Sequence, residues 1–165
     1  MPDTRFYIAG RYARRAELER LASHIEWVTG WRSTARWLTV DHQDIGPDDD
    51  PDRMRHVAQQ DLHDIREADV VFAVTEHPDT PGAARGGRHV ELGYAIAHRK
   101  VIVTIGPLEN VFCSIPHNAD TVLEALAIAL DQVADRRRRR DALMHSMNIT
   151  IDGKAINDAI RRDRL

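Results

Sequence analysis

The chain has 165 residues and a single cysteine, and its 23 basic and 26 acidic residues give a net charge of −3. This length suits one domain with a short appendage, and such a chain needs no disulfide or metal to fold. The balanced charge argues against a nucleic-acid polymer as partner, and no apolar run approaches the ~20 residues of a membrane span. With one cysteine and no basic-then-apolar leader, we expect a soluble cytoplasmic protein.

Strands and helices are predicted to alternate along the chain. Short apolar runs that end at glycine or polar residues indicate strands, and apolar residues repeating every three or four positions indicate helices. Gly30 is the expected cap at the end of the first helix. The predicted strands cover 5–9, 33–40, 68–75 and 100–106, and the predicted helices cover 13–30, about 52–68, a segment from about His89, and 119–135.

This order predicts an α/β fold, a Rossmann-like or flavodoxin-like doubly wound parallel sheet of four or five strands with helices on both faces. Such sheets bind ligands at the carboxyl ends of their strands. The loops at Gly10, at 76–88 and at 106–110 follow strands, so we expect them to meet there. Residues 1–135 form the predicted domain, and the more polar 136–165 a helical extension or arm.

Asp61 is the first carboxylate in an unexpected place. Helical spacing from Met54 puts it near the centre of an apolar face that also includes Val57, Ala58, Leu62, Ile65 and Ala68. A carboxylate there is costly unless it has partners or lies at the floor of a pocket. It could cap a neighbouring loop, pair with an arginine, or serve a site.

Glu91 is the second such carboxylate. It is the only acid of the apolar segment HVELGYAIAH, in the first turn, where the helix dipole favours its ionised form. A capping role is one interpretation. The preceding Gly86 and Gly87 favour another, because paired glycines let a backbone pass close to a ligand. A sheltered carboxylate beside such a loop is suited to attack an electrophilic sugar carbon.

The strings FYIAGRY, QDLHDIREADVVFAV, GGRHVELGYAIAHRKVIVTIGP and ENVF resemble the nucleoside 2-deoxyribosyltransferase family, over roughly residues 5 to 130. Members of this family include base-exchanging transferases and nucleotide N-glycosidases. The resemblance implies that Glu91 is the nucleophile at the anomeric carbon and that Asp61 faces the departing base as proton donor or orienting group. It also implies that Tyr7 positions Glu91 and that Asn110 is lent to a neighbouring subunit's site, so that the protein is at least a dimer.

The basic residues of two loops are predicted to bind substrate. Family transferases usually carry an acid six positions before the nucleophile, and Arg85 stands there in this chain. Arginines suit a 5′-phosphate better than a free hydroxyl. They could instead be solvated or pair with the acidic 41–52 loop. The predicted substrate-binding residues are Gly10, Arg11, Arg85, Gly86, Gly87, Arg88 and Asn110, with Arg14 as a further candidate for the phosphate.

Two other charged segments could indicate a metal ion or a nucleic acid as partner, and we expect neither. The acidic stretch DHQDIGPDDDPD lacks the spacing of a calcium loop, and no metal or cofactor is predicted. The run RRRRR at 136–140 would point in all directions from a helix, which favours a solvated face or a subunit contact over nucleic acid.

The sequence therefore predicts an enzyme that cleaves the N-glycosidic bond of a deoxynucleoside, a nucleoside or its 5′-monophosphate through a covalent Glu91 intermediate. The sugar passes to another base or to water. The alternatives are a 5′-monophosphate N-glycosidase whose arginines bind the phosphate, and a nucleotide-binding or sensing module without turnover.

Overall fold

The computed structural model describes residues 4–39, 45, 48–77, 79–80 and 86–146. The chain divides into two compact units, 1–133 and 134–165. In the second unit the described residues, 134–146, are helical. The rest of the predicted helical extension, 147–165, lies outside the described residues.

Five parallel strands form one sheet in the order β2-β1-β3-β4-β5. This confirms the predicted doubly wound α/β fold, and the strand order is that of flavodoxin-like sheets. The strands are β1 (Arg5–Ala9), β2 (Arg32–Ser33), β3 (Val70–Val74), β4 (Val101–Ile105) and β5 (His117–Ala119).

The described residues form four α-helices: α1 (Arg15–Thr29), α2 (Pro51–Glu67), α3 (Gly87–Ala97) and α4 (Val122–Ser146). The β1-to-β2 crossover and the β3-to-β4 crossover run in opposite directions, so their right-handed form places α1 and α3 on opposite faces. α2 packs against α3. β3 and β4 are buried along their whole length, as expected for central strands covered on both faces.

The predicted second strand is wrong over most of its length. β2 ends at Ser33, and Arg36–Leu38 form a 3-10 helix, while Val40 lies outside the described residues. Trp37 and Leu38 of this 3-10 helix are buried, and the Trp37 indole N–H donates a hydrogen bond of 3.0 Å to the Ile8 carbonyl. The apolar character that indicated a strand therefore comes from a turn that packs on β1.

The predicted helix over 119–135 begins later, because Ala119 belongs to β5 and α4 starts at Val122. β5 is only three residues long, and its His117 and Asn118 are exposed. A strand this short and polar has no apolar alternation by which sequence analysis could find it.

Two glycines take backbone conformations that other residues rarely adopt. Gly30 ends α1 with φ of 69°, which confirms the predicted cap. Gly106 follows β4 with φ of 109°, and a Cβ there would lie 2.8 Å from the Thr75 hydroxyl oxygen. The chain can therefore leave β4 close to β3 only with glycine at this position.

Within the described part of the chain, no helix has both the length and the apolar character needed to cross a bilayer.

Candidate active site

The site lies at the carboxyl ends of β1, β3 and β4. Ala9 is paired with Ala73, and Ala73 is paired with Thr104, so these three strands end side by side. The segments that leave them carry Arg11, Glu76 and Glu109. α3 packs against β1 and β3, which brings the residues of its first turns to this edge.

Tyr7 and Glu91 are in direct contact. Tyr7 is a fully buried residue of β1, and its hydroxyl donates a hydrogen bond of 2.6 Å to the Glu91 carboxylate. Burial, and then the negative charge of Glu91, raise the pKa of Tyr7 well above its ordinary value. Tyr7 therefore keeps its proton and remains a donor to Glu91.

Glu91 is partly buried on α3. Its pKa is raised to about 8, chiefly by burial and also by the Asp61 charge, while the Tyr7 hydrogen bond and Arg88 act to lower it. The sequence analysis expected the helix dipole to favour the ionised form. The effect of burial is larger, because removing a carboxylate from water disfavours its charge more than one helix end favours it.

Asp61 is partly buried on α2, and its charge acts on both Tyr7 and Glu91. Burial, and then repulsion from Asp64, raise the pKa of Asp61 to about 6, against the opposing effect of Arg36. In the described part of the chain no hydrogen bond or ion pair joins its carboxylate to another residue. The structure thus brings Tyr7, Asp61 and Glu91 close enough for the Asp61 charge to act on the other two.

Asp64 is a buried carboxylate that sequence analysis missed. It accepts from the Arg36 backbone N–H at 3.1 Å and binds the Arg36 guanidinium at 2.7 and 2.8 Å. The predicted apolar face of α2 included Ala58, which is exposed, whereas Asp64 is 3% exposed. The buried face is therefore rotated relative to the prediction, since the chain after β2 covers Asp64.

The arginines of the first loop are bound to acids. Arg11 lies 3.5 Å and Arg14 3.7 Å from the Glu76 carboxylate, and Arg14 also binds Glu17 through two hydrogen bonds. Glu76 follows β3, so these partners do not come from the acidic 41–52 loop. The Arg11 side chain is 31% exposed and could still reach a ligand. Arg85 lies outside the described residues.

Arg88 and Glu109 form a buried ion pair, with the side chains 5% and 7% exposed and Nη2 2.5 Å from Oε1. Glu109 also accepts from the Glu76 backbone N–H at 2.6 Å. Sequence analysis assigned Arg88 to substrate and did not consider Glu109, although Glu109 stands in the same ENVF string as Asn110. Its place in the loop that follows the central strand β4 was the available signal.

The three predicted glycines differ in their surroundings. A Cβ on Gly10 would lie 2.3 Å from Leu18 Cδ1, so this position is small because α1 packs closely on it. Gly86 and Gly87 are exposed at the start of α3, and a Cβ on either would meet open space. With respect to the described residues, neither position is therefore required to be glycine by close packing.

Asn110 is held within its own chain. Its side-chain oxygen accepts from the Phe112 backbone N–H at 2.8 Å and so caps the 3-10 helix Val111–Ser114. Its side-chain nitrogen lies 3.1 Å from His89 Nδ1. Val111, Phe112 and Ile115 beside it are exposed apolar residues.

No group of three metal-ligating side chains occurs among the described residues. In the RRRRR run, Arg138 and Arg139 pair with Asp135, and Arg140 pairs with Asp141. All three arginines are exposed.

Comparison with known proteins identifies one family that the chain matches. The family profile for nucleoside 2-deoxyribosyltransferase matches residues 6–144. A search of functionally curated proteins finds no match. Among solved structures, a 2-deoxyribosyltransferase from Bacillus psychrosaccharolyticus has 16% identity and a TM-score of 0.56, covering 74% of this chain and 90% of that one.

A conserved protein from Enterococcus faecalis V583 has 14% identity and a TM-score of 0.56, covering 79% of this chain and 99% of the other. A CMP N-glycosidase from Clostridium botulinum has 21% identity and a TM-score of 0.45, with 78% and 99% covered. At these identities the two structures with a TM-score of 0.56 support the fold alone. The profile match, which extends over most of the chain, establishes that this protein belongs to the nucleoside 2-deoxyribosyltransferase family.

Proposed function

We propose that this protein cleaves the N-glycosidic bond of a (deoxy)nucleoside or its 5′-monophosphate and transfers the sugar to another base or to water. The single observation that carries the proposal is the contact of Tyr7 with Glu91 beside Asp61, at the carboxyl edge of the sheet. Family membership supports the same class of reaction. Two carboxyl groups with separate environments are what such a reaction requires.

In the first half-reaction the Glu91 carboxylate attacks the anomeric carbon through an oxocarbenium-like transition state. The C–N bond breaks, its electron pair goes to the base, and Asp61 donates a proton to the departing nitrogen. The product is a glycosyl ester on Glu91 and a free neutral base.

In the second half-reaction a nitrogen of another base, or a water oxygen, attacks the same carbon. Asp61, now ionised, takes the proton of the attacking group, and the bond to the Glu91 oxygen breaks to restore the carboxylate. Two inversions retain the configuration of the sugar.

The pKa values of the site fit these roles. Asp61, with its pKa raised to about 6, can both give and take a proton near neutral pH. Glu91 must lose its proton before it can attack, since burial raises its pKa to about 8. Tyr7 favours that loss, because its hydrogen bond stabilises the charged carboxylate.

The substrate-binding assignments are part of the proposal. Gly86 and Gly87 would border the sugar, Gly10 would shape the first loop, and Arg11, with its exposed guanidinium, would approach a 5′-phosphate. Arg85 in place of the acid of family transferases favours the alternative of a 5′-monophosphate N-glycosidase. Among the described residues, Arg11 is the one arginine that we propose for the phosphate, because its 3.5 Å contact with Glu76 is long and could be exchanged for a ligand.

A shared site is also proposed. Asn110 would act in the site of a neighbouring copy, and the exposed Val111, Phe112 and Ile115 beside it would lie in that contact. The assembly would be a homodimer or a larger homo-oligomer.

The test is to incubate the protein with 2′-deoxynucleosides, their 5′-monophosphates and CMP, with and without a free base, and to measure base release and base exchange by chromatography. Glu91→Ala is expected to lose turnover by at least 10³-fold (an order-of-magnitude figure for loss of a nucleophile). The matched control is Glu67→Gln, since Glu67 is an exposed carboxylate paired with Arg5 at the start of β1, away from the site.

Full turnover by Glu91→Ala would exclude the covalent mechanism. Ligands that raise the melting temperature of the wild type without being consumed would instead support a binding or sensing module.

A further inference from the structure

Glu109 connects three segments at the edge of the sheet where Glu91 lies. Its Oε1 accepts from Arg88 in the first turn of α3 and from the Glu76 backbone N–H after β3, and Glu109 itself follows β4. Its other oxygen, Oε2, is buried without a hydrogen bond and lies 3.7 Å from His89 Nε2. The carboxylate is therefore held from two sides.

A contribution to stability alone does not explain the buried ion pair of Arg88 and Glu109. Both charges lose their hydration, and a well-packed apolar pair of similar volume is often equally stable or more so. Breaking only one side of such a pair is costly, since the remaining charge is left buried. A role in the site gives a better reason for its presence.

Arg88 lies three residues before Glu91 on the same helix, so their side chains are neighbours on the helix surface. No hydrogen bond or ion pair joins these two residues in the structure: Arg88 binds Glu109, and Glu91 binds Tyr7. Arg88 nevertheless has a buried donor, Nε, without a partner. Glu91 is the only carboxylate on α3. Without Glu109, the Arg88 guanidinium would therefore be free to pair with Glu91.

We propose that Glu109 is a positioning residue for Glu91: by binding Arg88, it keeps the guanidinium from pairing with Glu91 and so leaves Glu91 on Tyr7, free to reach the substrate. An ion pair with Arg88 would draw the Glu91 carboxylate from the ligand side and weaken it as a nucleophile. Through space, Arg88 still lowers the pKa of Glu91 against the effect of burial.

The charged and titratable groups that act on Glu91 come from three elements: Tyr7 of β1, Asp61 of α2 and Arg88 of α3. Those around Glu109 are Arg88, His89 and, through its backbone, Glu76. Removing the Glu109 charge leaves Arg88 uncompensated, which favours the ionised form of Glu91. Removing Arg88 as well takes that influence away.

The inference rests on the proposed function, and its test has one arm that needs no turnover. The pKa of Glu91 is measured by ¹³C NMR titration of its side-chain carboxyl, assigned with Glu91→Gln. In Glu109→Gln we expect this pKa to fall by roughly one unit. In the double variant Glu109→Gln, Arg88→Gln it should return to the wild-type value or above.

The second arm is the measurement of kcat for the substrate that the wild type turns over fastest among the 2′-deoxynucleosides, their 5′-monophosphates and CMP. Glu109→Gln is expected to lose on the order of tenfold in kcat although more Glu91 is ionised, because the carboxylate is displaced. With a 2′-deoxynucleoside, which carries no phosphate for Arg88 to bind, the double variant should recover most of that loss. A structural tether would predict the opposite, since the double variant would be as impaired as the single one.

Circular dichroism and thermal unfolding report whether each variant folds, with Glu67→Gln as control. If Glu109→Gln does not fold, Glu109→Asp, which keeps the charge but draws it back by one methylene group, should give smaller changes in the same directions. An unchanged or raised Glu91 pKa in the folded variant, or no recovery in the double variant, overturns the proposal. A wild type that consumes no substrate contradicts the proposed function instead, while the titration still reports on Glu109.

Discussion

Asp61 and Asp64 lie one turn apart on α2, and of the two only Asp64 is bound to an arginine in the described part of the chain. Asp64 keeps Arg36 on its own carboxylate and places a negative charge beside Asp61. A buried acid outside the proposed chemistry thereby adjusts the proton affinity of an acid within it.

Replacing Asp64 should therefore change the acidity of its neighbour. In Asp64→Asn the repulsion disappears and Arg36 is released, so the pKa of Asp61 should fall below about 6. Each unit of that fall lowers kcat/KM at pH 7 by roughly tenfold, because less Asp61 is protonated. The pH dependence of kcat/KM measures this, and a curve that keeps the wild-type shape would contradict it.

The pH profile of the wild type follows from two raised pKa values. The competent enzyme has Glu91 ionised and Asp61 protonated, with pKa values of about 8 and about 6. Between these values the loss of protonated Asp61 offsets the gain of ionised Glu91. We expect kcat/KM to be level from about pH 6 to about pH 8 and to fall on both sides.

Removing Asp61 should change the shape of this profile as well as its height. In Asp61→Asn only the ionisation of Glu91 matters, so kcat/KM should rise with pH to a plateau, with its midpoint somewhat below about 8 because the Asp61 charge is also gone. Loss of the proton donor should lower the rate by roughly 10²-fold or more. A retained fall at high pH would argue against Asp61 as the donor.

The same raised pKa of Glu91 predicts the pH dependence of stability. The folded protein binds the Glu91 proton more tightly than the unfolded chain does, so its contribution is fully present below the unfolded pKa and is lost as pH rises through about 8. Glu91→Gln removes this loss. Urea unfolding should show the variant gaining roughly 3–4 kcal/mol over the wild type between pH 5 and pH 9, at about 1.4 kcal/mol for each unit of the pKa shift that this range crosses. An equal difference at both pH values would refute the assignment.

Gly106 should not tolerate a side chain. In Gly106→Ala the new Cβ would lie 2.8 Å from the Thr75 hydroxyl oxygen and 3.1 Å from the Thr75 carbonyl oxygen, at a positive φ. We expect a loss of about 1–3 kcal/mol in the free energy of unfolding. Gly93→Ala is the matched control, because that helical position has nothing within 4 Å of the added atom and should gain about 0.5–1 kcal/mol.

Local patterns in the sequence were sufficient to predict the central strands, the class of fold and the helices α1 to α4, of which α4 begins three residues later than predicted. Apolar runs such as VVFAV predict strands because central parallel strands are buried on both faces, and this holds whatever their partners are. Glu91 and Asp61 were found because a carboxylate within an apolar segment contradicts its surroundings, and Tyr7 because of the family resemblance. The roles of these residues remain predictions.

The tertiary structure decided which charges meet. Glu109 binds Arg88 across 21 residues and Asp64 binds Arg36 across 28, and both pairs depend on how loops leave adjacent strands. The turn at Arg36–Leu38 likewise follows from contacts with β1 and α2, distant in the chain. Sequence periodicity reports the environment of each element, whereas the partner of a charge and the resulting pKa depend on distances that only the folded chain defines.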